Sequence, residues 1–359
     1  MALWRWQHPG NSDEIVTPRC FAPVNFELLP GWQDDDHAEA LRAFLNFRGQ
    51  DPCLNRLLDI ASVWTGPARS FFETWFRPYR IGHEPGGLLT GYFEPELAAS
   101  LHPAPGYPFP VYRLPDDLEL MAEPQAGHPA GSQLTAHRRI GDRLEPYFTR
   151  AEIEAGALAG RGLEIAWVRD AVELYIMHVQ GSGVLVCKEG RIRVTFAGKN
   201  GHAYTSIGKR LIETGHLDAA AASLDKVVAW LRANPAEGKA LMHDNKSYIF
   251  FEFLTGEDAV RGPRGSFGAI LVPGRSMAVD PRIHRPGLPI WVDAPGLNAG
   301  GFPFPRLMLA HDTGSAIRGA ERGDVFFGTG ADSGQAAGSL KHPCRFFALL
   351  PADDDRNGA

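Results

Sequence analysis

Two acids, Asp312 and Asp324, stand in the glycine-rich stretch His311–Gly338, H-D-T-G-S-A-I-R-G-A-E-R-G-D-V-F-F-G-T-G-A-D-S-G-Q-A-A-G. Asp324 runs directly into the apolar triplet Val325, Phe326 and Phe327. A carboxylate at the lip of a buried strand is partly desolvated, and desolvation raises its pKa towards the range of a general acid. The glycines allow tight turns and leave room for a bulky ligand. An acid among glycines is also an ordinary turn residue, so the local sequence leaves both readings open.

Three further polar loops fall at strand ends: Thr90-Gly-Tyr92-Phe-Glu94, Gln180-Gly-Ser182-Gly, and Lys199-Asn200-Gly-His202 with Tyr204. Amide, hydroxyl, aromatic and lysine groups on glycine loops suit a sugar-binding groove. Sugars need many hydrogen-bond partners and flat apolar faces. The same loops could equally be turns that cap strands. Other chemistries are poorly supported. His178, His202 and His311 share no ligand spacing and no H-E-x-x-H occurs, so no metal site is expected. The Ser182 loop is not a G-x-S-x-G elbow, and Gly198-Lys-Asn-Gly201 lacks the spacing of a phosphate loop.

These loops need elements to hold them. Residues 34–76 read as three helices: one capped by Asp34–Asp36, one through Cys53–Ala61, and one opened by Pro67 and closed by Pro78. The aromatic stripe of the third, Phe71, Phe72, Trp75 and Phe76, reads as core. Leu88–Leu97 reads as a strand, and residues 101–148 are rich in Pro and Gly. Thr149-Arg-Ala-Glu152 is a capping box. Glu173–Val179 and Arg191–Phe196 alternate like strands, and Ser206–Thr214 and Asp218–Ala233 read as helices. From Ser247 six short apolar runs with glycine turns (S-Y-I-F-F-E-F, A-I-L-V-P-G, L-P-I-W-V, R-L-M-L-A, D-V-F-F-G, R-F-F-A-L-L) suggest a small barrel.

The whole chain sets bounds on these readings. Its 359 residues suffice for a sizeable core and predict two domains. A net charge of −6 excludes nucleic-acid binding by bulk electrostatics. The four cysteines, Cys20, Cys53, Cys187 and Cys344, lack metal or redox spacing and read as small buried hydrophobes, with one or two disulfides left open. No stretch is long enough to span a membrane, and the first residues show no charged region followed by an apolar run. Read plainly, that predicts a cytoplasmic protein or a chain whose leader is missing.

Several stretches together resemble the membrane-bound lytic murein transglycosylase A family. They are T-G-Y-F-E-P at Thr90, F-P-V-Y-R-L-P at Phe109, R-A-E-I-E-A-G-A-L at Arg150, V-Q-G-S-G at Val179 and A-G-K-N-G-H-A-Y-T-S-I-G-K at Ala197. The C-terminal part resembles the domain named for three aspartates, here Asp280 in V-D-P-R-I-H-R-P-G, Asp312 and Asp324. The resemblance covers about Thr90 to Leu349.

The resemblance implies a mainly β, α+β protein. A double-psi β-barrel domain would be built from residues 1–97 with its N-terminal helices and from residues 246–359. A smaller β-rich domain, residues 98–245, would be inserted, with the substrate groove between the two. The implied activity cleaves the β-1,4 bond between N-acetylmuramic acid and N-acetylglucosamine in peptidoglycan, leaving a 1,6-anhydro end. One carboxylic acid protonates the leaving oxygen, then as carboxylate takes the proton of the attacking C6 hydroxyl. That scheme needs no second carboxylate, unlike ordinary glycosidases. By motif position Asp324 is the acid/base, Asp312 its helper, and Asp280 structural. Thr90, Tyr92, Glu94, Gln180, Ser182, Lys199, Asn200 and Tyr204 are the expected sugar contacts, with Tyr92 and Tyr204 stacking on sugar faces. No metal or cofactor is implied. The expected partner is the glycan strand, the expected state a monomer, and the expected place the periplasm or outer membrane, which requires a missing leader. Two other functions stay open: a non-catalytic peptidoglycan-binding protein, and a hydrolase using both acids.

Overall fold

The computed structural model describes residues 21–82, 86–120, 135–219 and 221–352. Cys20 and the charged tail beyond residue 352 lie outside them. The chain divides into two units. One holds the described residues up to Phe93, Arg264–Gly328 and the described residues from Asp332 onward; the other holds Glu94–Pro263 and Thr329–Ala331.

In the first unit, helix starts are written in the sequence. Asp36 accepts a hydrogen bond from the Glu39 N–H and opens His37–Phe44. Asp51 accepts from Cys53 and Leu54, with Pro52 at the first position, and opens Pro52–Ser62. Ala68–Trp75 follows Pro67. Apolar residues at helical spacing, among them Phe44, Leu54, Leu58, Phe71 and Phe72, pack on Trp291, Leu307, Leu309, Phe347 and Leu349 from the strands. Burying each large side chain of this kind contributes roughly 1.5–3 kcal/mol.

Eight strands of this unit form one sheet, and Asn298–Ala299 and Phe302–Pro303 pair separately. The order in the sheet is Phe21–Pro23, Phe76–Ile81, Lys341–Pro351, Pro289–Asp293, Arg306–Asp312, Ser276–Ala278, Arg322–Thr329, Gly87–Glu94. The last strand pairs back onto the long one: Lys341–Cys344 takes Gly87–Thr90, while Phe346–Pro351 takes Phe76–Ile81. The pairings therefore run in a closed circuit, and strands distant in sequence become neighbours.

The second unit is built on a six-stranded sheet, in the order Ile249–Phe253, Gly190–Lys199, Ser182–Cys187, Glu96–Ser100, Glu164–Val168, Phe109–Tyr112. Helices Ala171–Gln180, Ile207–Glu213, Leu224–Ala233 and Pro235–Asp244 accompany it. The capping box at Thr149 and Glu152 is present. The chain as a whole is a mixed α+β protein, mostly sheet.

Several elements differ from the sequence reading. Glu173–Val179 is helix, not strand: Asp170 caps Val172 and Glu173, and left-handed Gly181 ends the helix. This helix is buried almost all round, from Leu174 to His178, so its apolar run carries no usable period. Ile249–Phe253 pairs with Gly190–Lys199 in the second unit rather than with the C-terminal strands. The A-I-L-V-P-G run makes only one isolated bridge, Ile270 to Arg264. The three-residue strand Ser276–Ala278 and the helix Pro235–Asp244 were not foreseen. Cys53, Cys187 and Cys344 form no disulfide with one another. Among the described residues no helix is long and apolar enough to cross a membrane.

Candidate functional site

The short strand Ser276–Ala278 explains how the two acids come together. Ala278 pairs with Asp312 on one side, in a parallel ladder with a register shift between Met277 and Ala278. On its other side it pairs with Asp324, antiparallel. Both acids thus flank one alanine at the same level of the sheet. Neighbouring strands lie roughly 4.8 Å apart, so the two backbones are about two strand spacings apart and their side chains can approach.

The strand Gly87–Glu94 lies beside Arg322–Thr329 and supplies the next layer. In a strand, residues i and i+2 face the same way. Thr90 and Tyr92 use that spacing to serve one acid each. The Thr90 hydroxyl donates to Asp324 Oδ1, and the Tyr92 hydroxyl donates to Asp312 Oδ2 at 2.8 Å. Gly91 between them has to be small: a Cβ there would sit 2.6 Å from the Phe327 ring and 2.8 Å from Ala337 Cα.

Asp312 is held by donors from three residues. Its Oδ1 accepts from the Ser266 N–H at 2.7 Å and the Thr313 N–H at 2.8 Å, and its Oδ2 accepts from Tyr92. Burial nevertheless outweighs these donors and lifts its carboxyl above the usual range. Asp324 is half-buried. Burial raises its pKa, Thr90 and Arg322 offset part of the rise, and Asp312 adds to it by like-charge repulsion. Thr90 occupies Oδ1, so when Asp324 is protonated its proton belongs on Oδ2. The site therefore sets a carboxyl bonded at one oxygen beside a second carboxyl bonded at both. His311, next in sequence to Asp312, is buried with Nδ1 on the Ser276 hydroxyl at 2.9 Å, and burial pushes it down to about 3, so it is neutral.

The sequence-predicted residues divide between the two units. Asp312, Asp324, Thr90 and Tyr92 converge in the first. Tyr92 differs from expectation: it is buried, its ring on Phe326 at 5.3 Å and its hydroxyl on Asp312, so it cannot lie on a sugar face. Asp280 is fully buried and bound to Arg282 and the Gly319 N–H.

Glu94, Gln180, Ser182, Lys199, Asn200 and Tyr204 belong to the second unit. Glu94 is fully buried. Arg193 binds its two oxygens at 2.7 and 3.0 Å, and the Thr329 hydroxyl donates to Oε2 at 2.6 Å, so both oxygens are spent inside the protein. Asn200 is likewise structural. Its amide donates to the Phe148 and Lys246 carbonyls and accepts from the Tyr248 N–H, as a fully buried clamp. Ser182 is buried and pairs with Thr195. Gln180 ends its helix, Lys199 ends its strand, and these two with Tyr204 are half-buried. Because Ser182–Cys187 and Gly190–Lys199 run antiparallel, Gln180, Ser182 and Lys199 occupy one end of that sheet. No cluster of metal-ligating side chains is present among the described residues.

Ser266 was missed by the sequence reading. It sits in a tight turn, where the Gly268 N–H donates to the Gly265 carbonyl, and Gly265 packs so closely that a Cβ there would lie 2.5 Å from the His311 carbonyl oxygen. The spacing Gly265-Ser-Phe-Gly268 was the available signal, of the same kind as the loops that were recognised.

Residues 88–252 match the MltA specific insert domain, and residues 275–350 match the 3D domain. The chain is 34% identical over 269 residues to membrane-bound lytic murein transglycosylase A of Vibrio cholerae, a match covering 73% of this chain and 65% of that protein. Among solved structures, it superimposes on a membrane-bound lytic murein transglycosylase from Agrobacterium tumefaciens with a TM-score of 0.83 and 35% identity, covering 95% of this chain and all of that one. The Escherichia coli MltA structure with bound chitohexaose superimposes with a TM-score of 0.65 at 27% identity, over 92% of this chain and 91% of that one. With both domain types present in sequence order and a full-length structural match above 30% identity, this chain belongs to the family of membrane-bound lytic murein transglycosylase A.

Proposed function

We propose that this chain is a lytic transglycosylase that cleaves the β-1,4 bond between N-acetylmuramic acid and N-acetylglucosamine in peptidoglycan. The observation that carries the reading is Asp324: half-buried, its carboxyl raised, one oxygen bonded by Thr90, with Asp312 fixed beside it. Asp324 protonates the glycosidic oxygen, and the bond from that oxygen to the muramoyl C1 breaks. The positive charge that develops at C1 is stabilised by the nearby carboxylates. The muramoyl C6 hydroxyl attacks C1, and its proton passes to the Asp324 carboxylate. The product is a 1,6-anhydro end, no water is consumed, and Asp324 is again the acid. The nucleophile belongs to the substrate, so one exchanging carboxyl is enough.

Three features support Asp312 as helper. It is held by donors from three residues, lies at the level of Asp324, and raises the Asp324 pKa. Gln180, Lys199 and Tyr204, half-buried on the second unit, are the better remaining candidates for sugar contacts. The relative solved with chitohexaose supports a glycan strand as the partner. We further infer that the closed circuit of strands is a double-psi β-barrel, that the chain acts as a monomer, and that it works in the periplasm at the outer membrane, where murein lies.

Mass analysis of murein digested by wild type and by Asp324→Asn tests the reading. Wild type should release anhydro-ended muropeptides. Asp324→Asn should keep glycan binding and lose roughly 10²–10⁴-fold in turnover, the span typical of a general acid or base. Water-added products would favour a two-carboxylate hydrolase, and binding without turnover in wild type would favour a wall-binding protein.

A further inference from the structure

Among the buried polar groups of the first unit that the mechanism does not use, Asp280 and His284 stand out by their place beside the two acids. Both lie on Val279–His284, the segment that follows the strand Ser276–Ala278. That segment runs along the loop joining Asp312 to Asp324 and grips it at both ends. At the Asp312 end, the Val279 N–H donates to the Asp312 carbonyl at 3.0 Å, and the Thr313 hydroxyl donates to the Val279 carbonyl at 2.9 Å. At the Asp324 end, Asp280 Oδ2 accepts from the Gly319 N–H at 2.9 Å, and His284 Nε2 donates to the Ala320 carbonyl at 2.7 Å.

The groups are built for this contact. Asp280 is fully buried, and its two oxygens accept from the Arg282 N–H, Nε and Nη2 as well as from Gly319. Its backbone carbonyl accepts from the Ile283 and His284 N–H groups, which fixes the turn that aims His284. Gly319 has φ +115°, a conformation that only glycine adopts readily, and this turns its N–H to Asp280. His284 Nδ1 is buried without a partner, which suits a neutral ring that donates through Nε2 alone.

We propose that Asp280 and His284 are positioning residues: they brace Gly319 and Ala320 and so hold the strand carrying Asp324 at the level of Asp312. The third aspartate then acts on the reaction without touching substrate. Asp324 is faced by Thr90, Asp312 and Arg322, and the brace keeps that set in place. This inference rests on the reading of Asp324 as the acid.

The test compares wild type, Asp280→Asn, His284→Leu, His284→Gln and Asp324→Asn on purified murein, with thermal unfolding measured in parallel. An amide at 280 keeps one acceptor oxygen where the carboxylate has two. Asp280→Asn should lower kcat about 10- to 100-fold with KM within about twofold, the size of effect expected when a reacting group is displaced by about an ångström. It should also move the alkaline limb of the kcat–pH profile to lower pH, because a loosened Asp324 is better solvated. His284→Leu should lower kcat, and His284→Gln, which can still donate to Ala320, should recover much of it. Wild-type kcat and pH profile in Asp280→Asn, with Asp324→Asn inactive, would overturn the brace and leave the acid assignment standing. Full turnover in Asp324→Asn would overturn the acid assignment and the brace with it. If Asp280→Asn does not fold, the His284 pair decides: a loss in Leu recovered in Gln supports the brace, and wild-type kcat in both overturns it.

Discussion

Asp312 and Asp324 are alike in type and both sit among glycines, yet their surroundings separate them. Asp312 receives donors from Ser266, Thr313 and Tyr92, two of them backbone N–H groups that can only donate, whereas among the described residues Asp324 receives Thr90. In the proposed mechanism the carboxyl with the freer oxygen is the one that exchanges a proton. In that mechanism Asp324 has to be protonated to act as acid, so turnover should fall as pH rises through its raised pKa. Burial is the larger cause of that rise and Asp312 a smaller one. Asp312→Asn removes a negative neighbour, so the Asp324 pKa moves down and the alkaline limb of the kcat–pH profile moves to lower pH. An unmoved or upward-moving limb would remove Asp312 from the electrostatics of the site. The shift also has a stability counterpart. The folded state holds these two protons more tightly than the unfolded chain, so both sites cost stability as pH rises from the ordinary carboxyl range through the raised values.

At the scale of elements, the strand Gly87–Glu94 carries the site's logic in three consecutive residues. Thr90 and Tyr92 face the acids, and Gly91 faces the other way, against Phe327 and the helix Ala331–Ser339. Gly91→Ala forces a methyl into backbone that has no room for it. Overpacking of this kind costs roughly 1–3 kcal/mol. Urea unfolding should show that loss, together with reduced turnover, since a strand pushed outward takes Thr90 away from Asp324. Wild-type stability in Gly91→Ala would mean that the helix yields freely. The T-G-Y pattern was legible as a polar strand end. Its division of labour was not, because the partners of Thr90 and Tyr92 lie more than two hundred residues away. The strand reading of Glu173–Val179 failed for a different reason: a helix buried on nearly all sides has no polar face to set its period.

At the scale of the whole molecule, buried charge ties distant parts of the first unit together. Arg275 is fully buried. Its guanidinium binds Asp35 through Nη1 at 2.8 Å and Nη2 at 2.9 Å, Glu39 through Nε at 2.7 Å, and the Leu307 and Asp36 carbonyls. Glu39 also receives Arg306 at 2.9 Å. The start of the first helix is thereby anchored to the C-terminal strands. Arg275→Met leaves Asp35 buried with its cationic partner removed, and breaking a buried ion pair from one side costs about 3–5 kcal/mol. Thermal unfolding should show a marked fall in Tm, and an unchanged Tm would place the anchor in the apolar contacts of Trp32, Phe72 and Trp291 alone.

The sequence by itself determined the elements whose signals are local. The helix caps at Asp36, Asp51 and Thr149, the apolar strands of the C-terminal third, and the two acids at the edge of one such strand all follow from neighbouring residues. The ordered motifs from Thr90 onward also carried the family. Tertiary structure alone decided which polar residues meet. Glu94 and Asn200 look like ligand groups in a glycine loop, but Arg193, Thr329 and four backbone groups consume them. Asp280 looks like a turn acid, but its carboxylate reaches Gly319 across the sheet connection. Hydrogen-bond partners are set by the closed circuit of strand pairings, and sequence spacing carries no record of a contact formed between strands far apart in the chain.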